Sequence, residues 1–393
     1  MVPGMKRRAG CRPGFLACAA GETDKSGWSG CAEHDMMIGE RRMNNEERKK
    51  RLQIPTGRLR LVIDTDAKNE VDDQFAIAWA LRSPERFQVE AVYAAPFSHE
   101  CFQNFQASKE MVEKSSDLIG HAVDPGDGMR QSYDEIRRVF DLLHMDPENR
   151  IFYGSDRYIG TDGKPVASAA AEDLVRRAKE SEEPLYIAAI GAITNIASAI
   201  LMDPSIIDRI VVVWLAGQPL EFGHGIEFNM MQDVKASQIV LDSGVPLVLV
   251  PCMNVASALT VSEQELKANL AGKNELGDYL YSIVAGAFCN EEAEKAFMQV
   301  DRGGYLLGRE DYSEEYLGKF PTEHISWSRI VWDISVIAFL KNPNWVLSRY
   351  ESAPVLKEDL RYEREENRPV IKVATYCWRN YIFGDLFYRL ERV

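Results

Sequence analysis

The chain has no apolar run of membrane-spanning length, no Cys-x-x-Cys pair and no excess of basic residues. The first absence excludes a transmembrane helix, which needs about 20 consecutive apolar residues. Basic residues number 46 against 60 acidic ones, for a formal net charge of −14. A surface of that sign repels the phosphates of nucleic acid and of anionic lipid, so neither is expected as a partner. The seven cysteines (Cys11, Cys18, Cys31, Cys101, Cys252, Cys289 and Cys377) show no zinc-finger spacing. An odd, scattered set points to reduced thiols and a cytoplasmic location. What the chain does have is 46% hydrophobic residues over 393 positions, enough for a substantial core in one large α/β domain or two smaller ones.

Residues 1–57 differ from the rest, being rich in Gly, Lys, Arg and Ser and without sustained periodicity. They are expected to be disordered or an over-extended start, with Met36, Met37 and Met43 as alternative first residues. Lys6-Arg7-Arg8 followed by Phe15-Leu16-Ala17 imitates a signal peptide, but Pro13 and Gly14 interrupt it and its apolar part is short. Residues 44–51 suit a charged helix, with a solvated tail as the default. Residues 58–393 read as one domain.

That domain is organised around Leu61-Val62-Ile63-Asp64-Thr65-Asp66-Ala67-Lys68-Asn69-Glu70-Val71-Asp72-Asp73. An apolar strand runs into an acidic loop, and Phe75, Ile77, Ala78 and Leu81 then follow at helical spacing. Five carboxylates within ten residues repel one another unless a cation or solvent screens them, and hard oxygen ligands suit Ca²⁺ or Mg²⁺. The competing reading makes Asp72 or Asp73 a helix N-cap and Asp64 a turn residue. Further strands are expected at residues 88–93, 185–190, 210–215 and 246–250. Helices are expected at 104–114, 133–144, 169–179, 195–201, 234–241, 261–270, 279–288 and 328–340. Pro125, Gly126 and Gly128 read as chain breakers, and residues 153–165 as a polar loop. Strands alternating with helices predict an α/β fold with an open, mostly parallel sheet flanked by helices.

The acidic loop resembles the signature of the inosine–uridine preferring nucleoside hydrolase family, Asp-x-Asp-Pro-Gly-x-Asp-Asp after the first strand. Gly191-Ala192-Ile193-Thr194-Asn195 resembles its Gly-x-Leu-Thr-Asn turn. Glu227-Phe228-Asn229 with Asp233 resembles its Glu-Phe-Asn-x-x-x-Asp segment, and Trp332-Asp333 its His-Asp pair. The ending Arg379–Phe387 is similar to its last helix. The resemblance implies a Ca²⁺ held by Asp66, Asp73, Asp333 and the main-chain carbonyl of Ile190. It implies sugar contacts from Asp72, Glu227 and Asn229, with Asp66 as the base toward a metal-activated water and Asp64 supporting the loop. The expected activity is Ca²⁺-dependent hydrolysis of the N-glycosidic bond of a ribonucleoside or related ribosyl compound. Relatives are commonly dimers or tetramers, so a homo-oligomer is expected. The alternatives are a hydrolase of another sugar conjugate and a non-catalytic ribose- or carbohydrate-binding protein. Glu227 as a surface charge, Asn229 as a turn residue and Asp333 as an N-cap are the structural readings of the same residues.

The chain departs from the pattern in three places. Residues 67–71 replace a loop two residues shorter, which brings Asn69 and Glu70 close to the metal as candidate substrate contacts. Trp332 stands where the family has a His that, in one branch, protonates the leaving base, so stacking on Trp332 or Trp327 is an alternative. Ser98-His99 replaces a Gly-Asn, with His99, Glu100, His224 and Tyr153 as candidate substitutes for the lost contact.

Overall fold

The computed structural model describes residues 43–98, 122–286 and 328–392, all within one compact unit that begins at Met43. The strands are β1 (Leu59–Thr65), β2 (Phe87–Ala94), β3 (Ile151–Tyr153), β4 (Leu185–Ile190), β5 (Ile210–Leu215) and β6 (Leu247–Val250). After them come β7 (Thr260–Ser262), β8 (Ser328–Ile330), β9 (Val346–Ser352), β10 (Val355–Leu356), β11 (Tyr362–Glu363) and β12 (Val370–Cys377). Eight of these form one sheet in the order β3-β2-β1-β4-β5-β6-β12-β9. Every neighbouring pair is parallel except β12 with β9. Two antiparallel pairs, β7 with β8 and β10 with β11, stand outside it.

Every residue of β4 and β5 is buried, as a sheet covered on both faces requires. Successive side chains enter opposite cores: Leu61 and Ile63 pack on one side of β1, Val62 on the other. The first side is covered by α2 (Asp73–Leu81), α3 (Pro125–Leu142), α8 (Glu263–Asn269), α9 (Glu275–Gly286), α10 (Ile334–Lys341) and α11 (Arg379–Leu390). The second is covered by α4 (Ala169–Lys179), α5 (Thr194–Met202) and α7 (Val234–Ser243), with the short α6 (Phe228–Gln232) leading into α7.

Strand order decides where a ligand can sit. From β1 the chain moves outward to β2 and β3, then returns to lay β4 on the other side of β1. The carboxyl ends of β1 and β4 therefore flank the point where the winding reverses, the place where open α/β sheets bind ligands.

Several expectations are revised. Within the described residues, 45–51 form a helix, α1 (Asn45–Arg51), that is packed onto the sheet instead of being a solvated tail. Arg48 Nε donates to Gly244 O at 2.7 Å, and Leu52 is wholly buried. Pro125, Gly126 and Gly128 begin a helix instead of breaking one. Asp124 caps it by accepting the Asp127 N–H at 2.8 Å, and proline at the first helical positions lacks only an N–H that would have no partner there. Gly128 is required, since a Cβ there would lie 2.0 Å from Phe97 O. Residues 151–153, expected within or before a loop, form β3 at the sheet edge. Residues 328–330, expected as helix, pair with β7 as a strand, and the helix starts at Ile334. The helix expected at 104–114 lies outside the described residues, as do His99, Glu100 and Trp327.

Candidate active site

Asp64 and Asp66 come from the end of β1, Ile190 from the end of β4 beside it, and Asp72 and Asp73 from the start of α2. Asp333 arrives at the head of α10. The carboxylates of Asp72, Asp73 and Asp333 offer oxygens that all lie within 4.8 Å of one another, and all three residues are buried. The same cleft is lined by Asp66, Asn69, Glu70, Ile190, Glu227, Phe228, Asn229 and Trp332, around about 560 Å³ of space open to solvent. Neither Asp72 nor Asp333 makes a side-chain capping bond to its own helix, so the N-cap reading fails for both. Gly191 lets the turn after β4 close on the cluster, because a Cβ there would press on Asp66 N at 3.0 Å.

The acids pay for their placement in charge. Burial raises the carboxyls of Asp66, Asp72, Asp73 and Asp333 above the usual range, and repulsion from neighbouring carboxylates, Glu70 among them, adds to it. Asp72 Oδ2 accepts the N–H groups of Trp332 at 2.8 Å and Asp333 at 3.3 Å, so the acidic loop fastens directly to the segment that carries Asp333. Thr65 Oγ1 donates to Asp73. Behind the cluster, Asn195 Nδ2 donates to Asp64 Oδ1 at 2.8 Å, and burial lifts the Asp64 carboxyl to about 7. Asn195 Oδ1 in turn accepts from Ser155 N at 2.8 Å.

Glu227 is not a surface charge. It is 6% exposed and accepts three main-chain N–H groups, from Gly217, Asn229 and Met230, at 2.8, 3.0 and 3.1 Å. Burial nevertheless pushes its carboxyl up to about 7. Asn229 Nδ2 donates to Leu215 O at 3.0 Å, and the residue lines the cleft.

Residues 61–307 match the family described as inosine-uridine preferring nucleoside hydrolase. The chain belongs to that family. It is an enzyme of the N-glycosyl hydrolase kind that the family groups together. A probable uridine nucleosidase 2 of Arabidopsis thaliana is 23% identical over 235 residues, 58% of this chain and 69% of the relative. Among solved structures, a purine-preferring ribonucleoside hydrolase from Gardnerella vaginalis superposes with a TM-score of 0.58 at 18% identity, covering 84% of this chain and 98% of that one. A plant nucleoside hydrolase superposes with a TM-score of 0.56 at 16% identity, covering 86% and 100%. These likenesses establish the nucleoside hydrolase fold, an eight-stranded, largely parallel sheet with helices on both faces.

In this nucleoside hydrolase-like cleft the structure brings together Asp66, Asn69, Glu70, Asp72, Asp73, Ile190, Glu227, Asn229, Trp332 and Asp333. His224 and Tyr153 are not part of its lining; His224 Nδ1 accepts the Ile226 N–H, and Tyr153 stacks on Tyr133 with ring centroids 3.7 Å apart. The tightest carboxylate trio contains Asp72 where the expected ligand set has Asp66, although Asp66 shares the cleft and repels Asp73. Three supporting residues carry no sequence signal of their own. Gln232 lies 3.5 Å from Asp66 Oδ2 and accepts from Ser98 N and Tyr158 Oη. Arg329, fully buried on β8, pairs with Glu70. Glu135, on α3, takes a bond from Gln74 beside the acidic loop. Only Gln232 falls within a quoted motif, between Asn229 and Asp233.

The donor set fits a hard divalent cation. The clustered Asp72, Asp73 and Asp333 offer carboxylate oxygens, all three are buried, and a cation would offset the burial and repulsion that raise the proton affinity of Asp333.

Proposed function

We propose that the chain is a Ca²⁺-dependent hydrolase of ribonucleosides, cleaving the bond between C1′ and the base nitrogen. The observation behind this reading is the group of buried carboxylates meeting at the switch point of the sheet. Asp66, Asp73, Asp333 and the carbonyl oxygen of Ile190 would hold the cation. Bound there, Ca²⁺ would supply positive charge to orient a sugar diol and to acidify a nearby water.

The residues of the chain do the rest. Asp66, which shares the cleft with the carboxylate cluster, accepts the proton of the water that adds to C1′. Asp72 is fixed by two main-chain N–H groups through Oδ2, which leaves Oδ1 for a ribose hydroxyl. Glu227 and Asn229, each pinned by main-chain bonds, present further acceptors to the sugar. Groups already locked in place lose no freedom when the sugar arrives, which lowers the barrier by positioning. Phe228 and Trp332 give the cleft its aromatic walls and form the surface against which a base would lie.

Incubation with a panel of nucleosides, with release of reducing sugar measured with and without chelator, tests the reading. Turnover should depend on added Ca²⁺, and Asp66→Asn should abolish it. Absence of release from every nucleoside, or wild-type rates in Asp66→Asn, would refute it.

A further inference from the structure

The loop that departs from the family pattern is braced on both sides. Lys68 Nζ lies 3.9 Å from Glu135 Oε2 on α3. Glu70 pairs with the buried Arg329 on β8. Gln74, in the first turn of α2, ties down the backbone between them: its Nε2 donates to Ala67 O at 2.7 Å and lies 3.4 Å from Glu70 O. The residues before and after Asn69 are thus drawn away in two directions, one toward α3 and the other toward β8.

Asn69 is treated differently. Its main-chain N–H donates to Asp66 O at 2.7 Å, which fixes its backbone within the turn. Its carboxamide lines the cleft, is 7% exposed and makes no hydrogen bond among the described residues. With Lys68, Glu70 and Gln74 each held by a neighbouring element, the cleft-lining amide of Asn69 is available to atoms that arrive with the substrate.

Those atoms belong to the leaving group. On the reading above, the sugar hydroxyls are met by Asp72, Glu227 and Asn229. The departing base has no such provision. When the bond from C1′ to the base nitrogen breaks, its electron pair leaves with the nitrogen, while the water oxygen bonds to C1′ and gives its proton to Asp66. In a base whose glycosidic nitrogen is conjugated to a carbonyl, the charge spreads to that oxygen before solvent returns a proton. Trp332, on the cleft wall, has an indole N–H that can donate a hydrogen bond but not transfer a proton.

Resting on the hydrolase reading, we propose that Asn69 is a catalytic residue whose Nδ2 donates to the carbonyl of the departing base. Such a bond strengthens as charge develops and so favours the transition state over the bound substrate.

The test compares two leaving groups in the Ca²⁺-loaded full chain. One is the base of whichever nucleoside, uridine or inosine, the wild type cleaves faster. The other is the phenolate of 4-nitrophenyl β-riboside, which departs without help. Asn69→Ala should lower kcat on the nucleoside at least tenfold more than on the nitrophenyl riboside. Asn69→Asp, of the same size but without the donor, should repeat the pattern and serves as the test if the alanine variant misfolds. Equal losses on the two substrates would overturn the assignment, as would nitrophenyl riboside turnover by a wild type that cleaves neither nucleoside. A wild type inactive on both compounds would instead overturn the hydrolase reading itself.

Discussion

Asp333 shows how one side chain can be both a liability and a requirement. Burial raises its proton affinity, and Asp72, Asp73 and Asp66 raise it further by repulsion. Removing one member of such a group relieves the others, whereas supplying a divalent cation satisfies all of them at once. Asp333→Asn should therefore melt at a higher temperature than wild type when no divalent ion is present. Wild type should gain on Ca²⁺ addition, by about 2.7 kcal/mol at a hundred times the dissociation constant. The variant should gain little. Thermal melts of both proteins across a Ca²⁺ titration would check this, and equal Ca²⁺-induced shifts would remove Asp333 from the ligand set.

At the scale of elements, β8 matters out of proportion to its three residues. It pairs Arg329 with Glu70 of the acidic loop and delivers Trp332 and Asp333 to the cleft. Arg329→Met should destabilise the fold by about 3 kcal/mol, because a partly buried Glu70 then loses its cation. Equilibrium unfolding in urea measures this, and a change below about 0.5 kcal/mol, within the range of ordinary surface substitutions, would count against the brace. This element was also the least legible in the sequence. Ser328-Arg329-Ile330 precedes a real helix and merges with its apolar pattern, so the two read as one helix. Only pairing with β7, from far away in the chain, makes it a strand. The acidic loop, by contrast, was readable because its carboxylates, strand and helix are contiguous. Pro125 and Gly128 misled for a local reason: both residues commonly end helices, yet here they sit where a helix starts and where Phe97 leaves no room for a side chain.

For the whole molecule, the order of strands could not be read from periodicity. The sequence shows that β1 and β4 are buried, but their adjacency, which sets the cleft, is a tertiary fact. The family match ends at residue 307, before Asp333, yet the fold returns that residue to the first loop. The same dependence on distant packing hid α1, whose charged sequence resembles a solvated tail. Leu52→Ala tests how far α1 belongs to the body: a wholly buried leucine in a packed core should cost about 2–5 kcal/mol in a denaturant titration. A solvated tail would cost almost nothing.

The bond from Trp332 N to Asp72 joins residues 260 positions apart, and it has a consequence for the birth of the protein. At about 5–20 residues per second, ribosomes add the partner segment of the first acidic loop roughly 10–50 s after that loop itself. Throughout that interval the nascent chain holds Asp66, Asp72 and Asp73 without the residue that completes their cage. On the proposed site, the carboxylate group is therefore complete only once Asp333 has been added, and a chain cut short before it would carry Asp66, Asp72 and Asp73 without that partner.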